Sequence, residues 1–154
     1  MLISVNNGTV SSCGVKLAVV RQDVIKRLIF IVDDSPTDIE LTTMALEATG
    51  REISVRFATD GKSALAMLRN GIGVPALILL DLKMPGMSGI EVLCEIRADK
   101  RLRELNVVVV TSSALESDRA DAIAAGASDY IQKPLSLDQF SKVLESILHR
   151  LLPN

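Results

Sequence analysis

The chain has 154 residues, enough for one domain with a substantial core and too few for two ordinary ones. Hydrophobic residues make up 48% against 23% charged, which marks a folded chain; with only 3% aromatic, its core must be built from Leu, Ile, Val and Ala. A net charge of -2 gives no electrostatic reason to expect nucleic acid or an anionic membrane surface as partner.

Two cysteines, Cys13 and Cys94, make no disulfide framework, and Cys94 is expected as a small core residue. Apolar runs all fall short of the roughly 18 residues of a membrane span. The first basic residue is Lys16, so the start lacks the pattern of a secretory signal, and a cytoplasmic location is expected.

Residues 1–27 read as an N-terminal extension ahead of a domain spanning 28–154. A short helix near Lys16 to Lys26 would place Leu17, Val20 and Val24 on one side; a loosely ordered extension is the equal alternative, and the segment could also pack against a second copy, as in a homodimer, or against a partner. From Leu28 the pattern changes: Leu28 to Val32 is a buried strand that ends in Asp33 and Asp34. Ser35 and Pro36 open a helix, with Ser35 and Asp38 resembling a capping box; Ile39, Leu41, Ala45, Leu46 and Ala48 form its apolar side and Gly50 ends it. Ile53 to Phe57 is a second strand, and Thr59 or Asp60 caps a helix carrying Ala64, Leu65 and Leu68.

Leu77 to Leu80 is an unbroken apolar run, as in a strand covered on both faces, and it drives into Asp81 before Pro85 stops it. Ser88 and Glu91 cap the next helix, with Ile90, Leu93, Cys94 and Ile96 turned inward. The turn from Ala98 to Glu104 reads as solvated surface. Val107 to Val110 is a fourth strand leading to Thr111, and Glu116 to Ala125 a lightly packed helix closed by Gly126. Tyr130 and Ile131 mark a fifth strand running into Lys133 and Pro134. The last helix shows the clearest stripe, Leu137, Phe140, Leu144, Ile147 and Leu151, behind a Ser136/Gln139 capping box.

Five strands alternating with five helices predict a doubly wound α/β domain, a parallel sheet with helices on both faces. In such sheets functional groups gather at the carboxyl ends of the strands. Strand one delivers Asp33 and Asp34, strand three Asp81, strand four Thr111 and strand five Lys133, whereas strand two delivers no charge. That distribution fits the order 2-1-3-4-5.

Any one of these residues alone would be ordinary: a strand-end Asp usually caps a helix, and a lone Lys is usually surface charge. Their joint occurrence, each closing a different apolar strand, carries the signal. Three crowded carboxylates repel, and a divalent cation is the simplest remedy. Carboxylates, a backbone carbonyl and waters form the ligand set of Mg²⁺, which completes its shell with a phosphoryl oxygen. An Asp nucleophile, a metal, a Lys and a hydroxyl are the parts needed to receive a phosphoryl group. The residues alone do not choose among the three acids.

The segments IVDD at Ile31 to Asp34, LLDLKMPGMSG at Leu79 to Gly89, VVVVTSS at Val107 to Ser113 and SDYIQKP at Ser128 to Pro134 resemble the receiver domains of two-component response regulators. The resemblance runs from about Leu28 to the C-terminus and implies the flavodoxin-like receiver fold. It implies that Asp81 is the phosphoacceptor, that Asp34 binds Mg²⁺ directly, that Asp33 assists through water, and that the Lys83 carbonyl is the third protein ligand. Thr111 and Lys133 would contact the phosphoryl group.

The resemblance further implies a switch in which Thr111 moves toward the phosphoryl group and Tyr130 turns inward, and a cis Lys133–Pro134 peptide. The partners implied are a sensor histidine kinase or histidine phosphotransfer protein and a downstream protein target.

Twenty residues follow Pro134, room for one helix and no output domain (154 − 134 = 20). The expectation is therefore a stand-alone, single-domain regulator that catalyses only its own phosphorylation and dephosphorylation, and signals by partner binding or phosphorelay. One alternative is a Mg²⁺-dependent phosphohydrolase with an aspartate nucleophile, disfavoured because its acids would be spaced Asp-x-Asp and it would need a cap insertion. The other is a phosphorylation-independent adaptor, disfavoured because Asp33, Asp34, Asp81, Thr111 and Lys133 are all present.

Overall fold

The computed structural model describes residues 27–133 and 135–153. The expected helix near Lys16, Cys13 and the isomer of the Lys133–Pro134 peptide lie outside the described residues. Elements alternate throughout: β1 (Arg27–Val32), α1 (Pro36–Glu47), β2 (Ile53–Ala58), α2 (Gly61–Arg69), β3 (Leu77–Leu80), α3 (Gly89–Ala98), β4 (Val107–Thr111), α4 (Glu116–Ala124), β5 (Asp129–Gln132) and α5 (Leu137–Leu151). The five strands form one parallel sheet in the order β2-β1-β3-β4-β5, as the charge distribution predicted.

Continuous apolar strands serve both faces of this sheet, because successive side chains alternate sides. Ile29, Ile31, Leu77, Leu79, Val108 and Val110 pack with Ala45 and Leu46 of α1 and with Phe140, Leu144 and Ile147 of α5. Phe30, Val32, Ile78 and Leu80 pack on the other face with Leu65 and Leu68 of α2 and Val92, Leu93 and Ile96 of α3. α4 adds a smaller patch in which Ala122 meets Leu82, Val109 and Tyr130. Ala122 is the one buried residue of α4, in keeping with the light packing expected of it.

Several local expectations are corrected. Cys94 is exposed, not core. The buried side of α3 is Gly89, Val92, Leu93 and Ile96, and Cys94 follows Leu93 by one residue, about 100° around the helix. Ala48 is exposed at the end of α1, where Thr42 is buried instead. On α5 the first-turn Leu137 is 37% exposed, and Leu148 takes its place in the core.

The turn after α3 is not plain solvated surface. Leu102 is buried there, and Asp99, pulled down to about 2 by hydrogen bonds from Arg101 and Arg69, organises it. Arg97 donates to the carbonyls of Arg103, Leu105 and Gly126, tying this turn to the end of α4.

Candidate phosphoryl-accepting site

The sheet's hydrogen-bond ladder continues one residue past the strands and fixes the backbone of the site. Asp33 N donates to Ala58 O at 3.1 Å, Asp81 N to Val32 O at 2.9 Å, and Lys133 N to Thr111 O at 2.7 Å. Residues from four chain-distant segments are thereby aligned along one edge. Asp33, Asp34 and Asp81 each offer a carboxylate oxygen within 4.8 Å of the others. Asp33 and Asp81 are buried and Asp34 is exposed, so the cluster opens to solvent on one side.

The loop after Asp81 is shaped by two glycines. Gly86 adopts φ +76, a left-handed conformation that lets the chain turn after Pro85. Gly89 N donates to Leu82 O at 2.9 Å, and a Cβ on Gly89 would fall 2.2 Å from Asp81 O. Only glycine allows α3 to start this close to the acid. The Ser88/Glu91 capping box then opens α3 as the sequence predicted.

Burial works against charge here. Asp81 is pushed up from 3.8 to about 6, first by burial and then by the neighbouring Asp33 and Asp34 carboxylates, against the pull of Lys133. Asp33 is also raised by burial, although the Ser35 N–H and Lys133 oppose the shift. Lys133 is held above its ordinary value: burial disfavours its charge, but the Asp38 hydrogen bond and the fields of Asp33 and Asp81 outweigh it. Such a set of hard oxygen ligands with uncompensated negative charge suits Mg²⁺ or Mn²⁺.

Lys133 Nζ donates to Asp33 Oδ2 at 3.2 Å and to Asp38 Oδ2 at 2.9 Å. Asp33 uses its other oxygen to accept from Ser35 N at 3.0 Å. The capping box expected at α1 is therefore half made. Ser35 Oγ accepts from Asp38 N at 3.2 Å, but the Asp38 carboxylate goes to Lys133 and not back to Ser35. Asp38 is a site neighbour that sequence reasoning assigned to helix capping; its position one turn beyond Asp34 was the available signal.

Thr111 is fully buried at the end of β4, and its Oγ1 accepts from Ser113 N at 3.3 Å. Tyr130 is buried at 8% exposure, donates its hydroxyl to Ser113 O at 3.3 Å, and has the Arg119 guanidinium 5.2 Å from its ring centre. Both switch candidates thus meet the loop between β4 and α4 at Ser113. Ser113 Oγ donates to Asp118 Oδ2, which also pairs with Lys83 Nζ at 3.1 Å. Asp118 carried no sequence signal, since its partner Lys83 lies on another loop; Ser113 closes the VVVVTSS segment, but its link to Tyr130 is made only in the fold.

The model of the response regulator receiver domain matches residues 29–145. The chain belongs to that family. Receiver domains are signalling domains of two-component systems. It is similar to the probable methanogenesis regulatory protein FilR2 of Methanothrix harundinacea, 35% identical over 124 residues that cover 78% of this chain and 80% of the relative.

Among solved structures, the phosphorylated cyanobacterial phytochrome response regulator RcpA aligns with a TM-score of 0.76 at 34% identity, covering 84% of this chain and 96% of that one. The Mn(2+)-bound form of response regulator Rcp1 aligns with a TM-score of 0.73 at 30% identity, covering 83% and 96%. Some curated relatives are longer, the chain spanning 14% of one and 50% of another. Receiver domains bind a divalent cation in an acidic pocket, and the acidic cluster described here is of that kind. Among the described residues no helix is long and apolar enough to cross a membrane.

Proposed function

We propose that this receiver domain takes a phosphoryl group onto Asp81 from a phosphohistidine of a sensor histidine kinase or histidine phosphotransfer protein, and signals by altered binding to a downstream protein or by passing the group on. The observation that carries the proposal is the placement of Asp81. It is a buried acid just past the end of the middle strand, flanked by Asp33 and Asp34 at the end of one neighbouring strand and reached by the field of Lys133 from the edge strand.

In the proposed step an Asp81 oxygen attacks phosphorus and the P–N bond to the donor imidazole breaks. The ring nitrogen keeps the electron pair and takes a proton from solvent, leaving an acyl phosphate on Asp81. Mg²⁺, when bound, neutralises charge on the phosphoryl oxygens. Asp34 and Asp81 would hold it through carboxylate oxygens, Lys83 through its carbonyl, and Asp33 through water. That division suits Asp33, whose two oxygens are already engaged by Ser35 and Lys133.

Lys133 and the Thr111 hydroxyl would receive the phosphoryl oxygens. Movement of Thr111 would withdraw the acceptor now used by Ser113 N, and Tyr130 would transmit the change because it holds the same residue's carbonyl. The phosphorylated and Mn(2+)-bound states named for RcpA and Rcp1 support this chemistry by similarity. The test is labelling by a small phosphodonor with Mg²⁺, which Asp81→Asn should abolish; equal labelling of the variant removes Asp81 from this role.

A further inference from the structure

Asp38 is the residue whose local sequence role and structural role diverge. It sits in the first turn of α1, where a capping box would return its carboxylate to Ser35 N, yet that amide is already satisfied by Asp33. We propose that Asp38 is a positioning residue for Lys133: it holds the ammonium against α1 in the unphosphorylated protein and competes for it with a phosphoryl group on Asp81. The inference rests on the reading of Asp81 given above.

The geometry distinguishes the two partners of Lys133. Its side chain is 11% exposed, so its charge must be partnered at all times. Asp33 is equally enclosed, at 5%, whereas the Asp38 side chain is 38% exposed. Asp38 can be released into water at little cost; Asp33 cannot. Among the described ion pairs of Lys133, Asp81 does not appear.

Beside these groups lies a cavity of about 350 Å³ lined by Asp38, Leu41, Ser112, Lys133, Leu135 and Phe140. It gives water access to the Asp38 carboxylate that the lysine would leave behind. Phosphorylation would therefore exchange Asp38 for a phosphoryl oxygen while the Asp33 contact stays. By drawing the cation toward α1, Asp38 also leaves Asp34 and Asp81 freer to take a metal.

The two consequences have opposite signs, which a merely structural role would not produce. Removing the Asp38 charge should tighten binding of a phosphoryl mimic and weaken binding of the metal alone. The α1 cap is not at risk, because Ser35 Oγ accepts from the Asp38 backbone amide, which any substitution but proline retains.

The experiment is calorimetric titration of wild type, Asp38→Asn, Asp38→Glu and Glu40→Gln with MgCl₂ alone, and then with beryllofluoride at saturating Mg²⁺. For Asp38→Asn the expected result is beryllofluoride affinity about threefold to tenfold tighter, the range between an exposed ion pair and a charge-assisted hydrogen bond, with weaker Mg²⁺ affinity. Asp38→Glu should return both toward wild type. Glu40→Gln removes the same charge from an exposed site on the same helix and should change neither by more than about twofold. Beryllofluoride affinity unchanged or weakened in Asp38→Asn overturns the inference alone. Failure of wild type to bind beryllofluoride at all overturns both the inference and the reading of Asp81 on which it rests.

Discussion

Gly89 is pressed against Asp81 so closely that a Cβ would lie 2.2 Å from the Asp81 carbonyl oxygen and 2.7 Å from Leu82 Cα. Both obstacles are backbone, which cannot rotate away. Gly89→Ala should therefore shift the loop that carries Asp81 and destabilise the protein by about 1 to 3 kcal/mol, as overpacking does. Urea denaturation checks this, and a midpoint equal to wild type would mean that α3 can retreat without disturbing the acid.

Asp81 also ties stability to pH. Its carboxyl titrates at about 6 in the folded chain against an ordinary 3.8, so between those values the folded state holds the proton more tightly than the unfolded state does. Folding stability from this group is therefore present at low pH and lost as pH rises through about 6, by up to about 3 kcal/mol. Asp99, Asp118 and Glu145 are shifted downward and act with the opposite sign. The difference between wild type and Asp81→Asn isolates the effect. In EDTA the variant's stability advantage should grow from pH 4 to pH 7, and Mg²⁺ should shrink it by stabilising the wild type more than the variant, which lacks one carboxylate ligand.

Arg97 offers a test of the turn that precedes β4. Its guanidinium satisfies the carbonyls of Arg103, Leu105 and Gly126, and Arg97→Ala would leave the partly buried acceptors of Leu105 and Gly126 unpaired. A loss of about 2 kcal/mol is expected, with faster amide exchange between 99 and 106. Exchange unchanged in that segment would show that water replaces the arginine.

Asp118 joins the loop after β4 to the loop after β3 through Ser113 and Lys83. Lys83 is 61% exposed, so the ion pair itself should add less than about 1 kcal/mol. Asp118→Ala should leave the melting curve nearly unchanged but speed amide exchange across the first turns of α4, whose single buried residue is Ala122. A thermal melt reads the first outcome and mass-resolved hydrogen exchange the second; exchange in α4 equal to wild type would show that the Asp118 contacts do not hold the helix.

The strand order and the principal acids were legible because the inner strands β1, β3 and β4 are buried on both faces. These strands stand out as apolar runs, and the first polar residue after each run marks the functional edge: Asp33, Asp81, Thr111. Lys133 followed by the same logic one residue beyond β5. Residues whose partner lies on another element were not legible. Asp38 matched a capping pattern, and only the folded chain brings Lys133 within 2.9 Å of it. Asp118 looked like one of several acids on a polar helix. Cys94 was misplaced because residue type was weighed above helical phase, and Leu102 because a single leucine is hidden in a run of charges.

Whether Asp81 receives the phosphoryl group is decided by intact-mass analysis after incubation with a small phosphodonor and Mg²⁺. The prediction is one added phosphoryl mass on the wild type, labile to hydroxylamine as an acyl phosphate is, and none on Asp81→Asn. Equal labelling of the two proteins, or no labelling of a folded wild type that binds Mg²⁺, would contradict it.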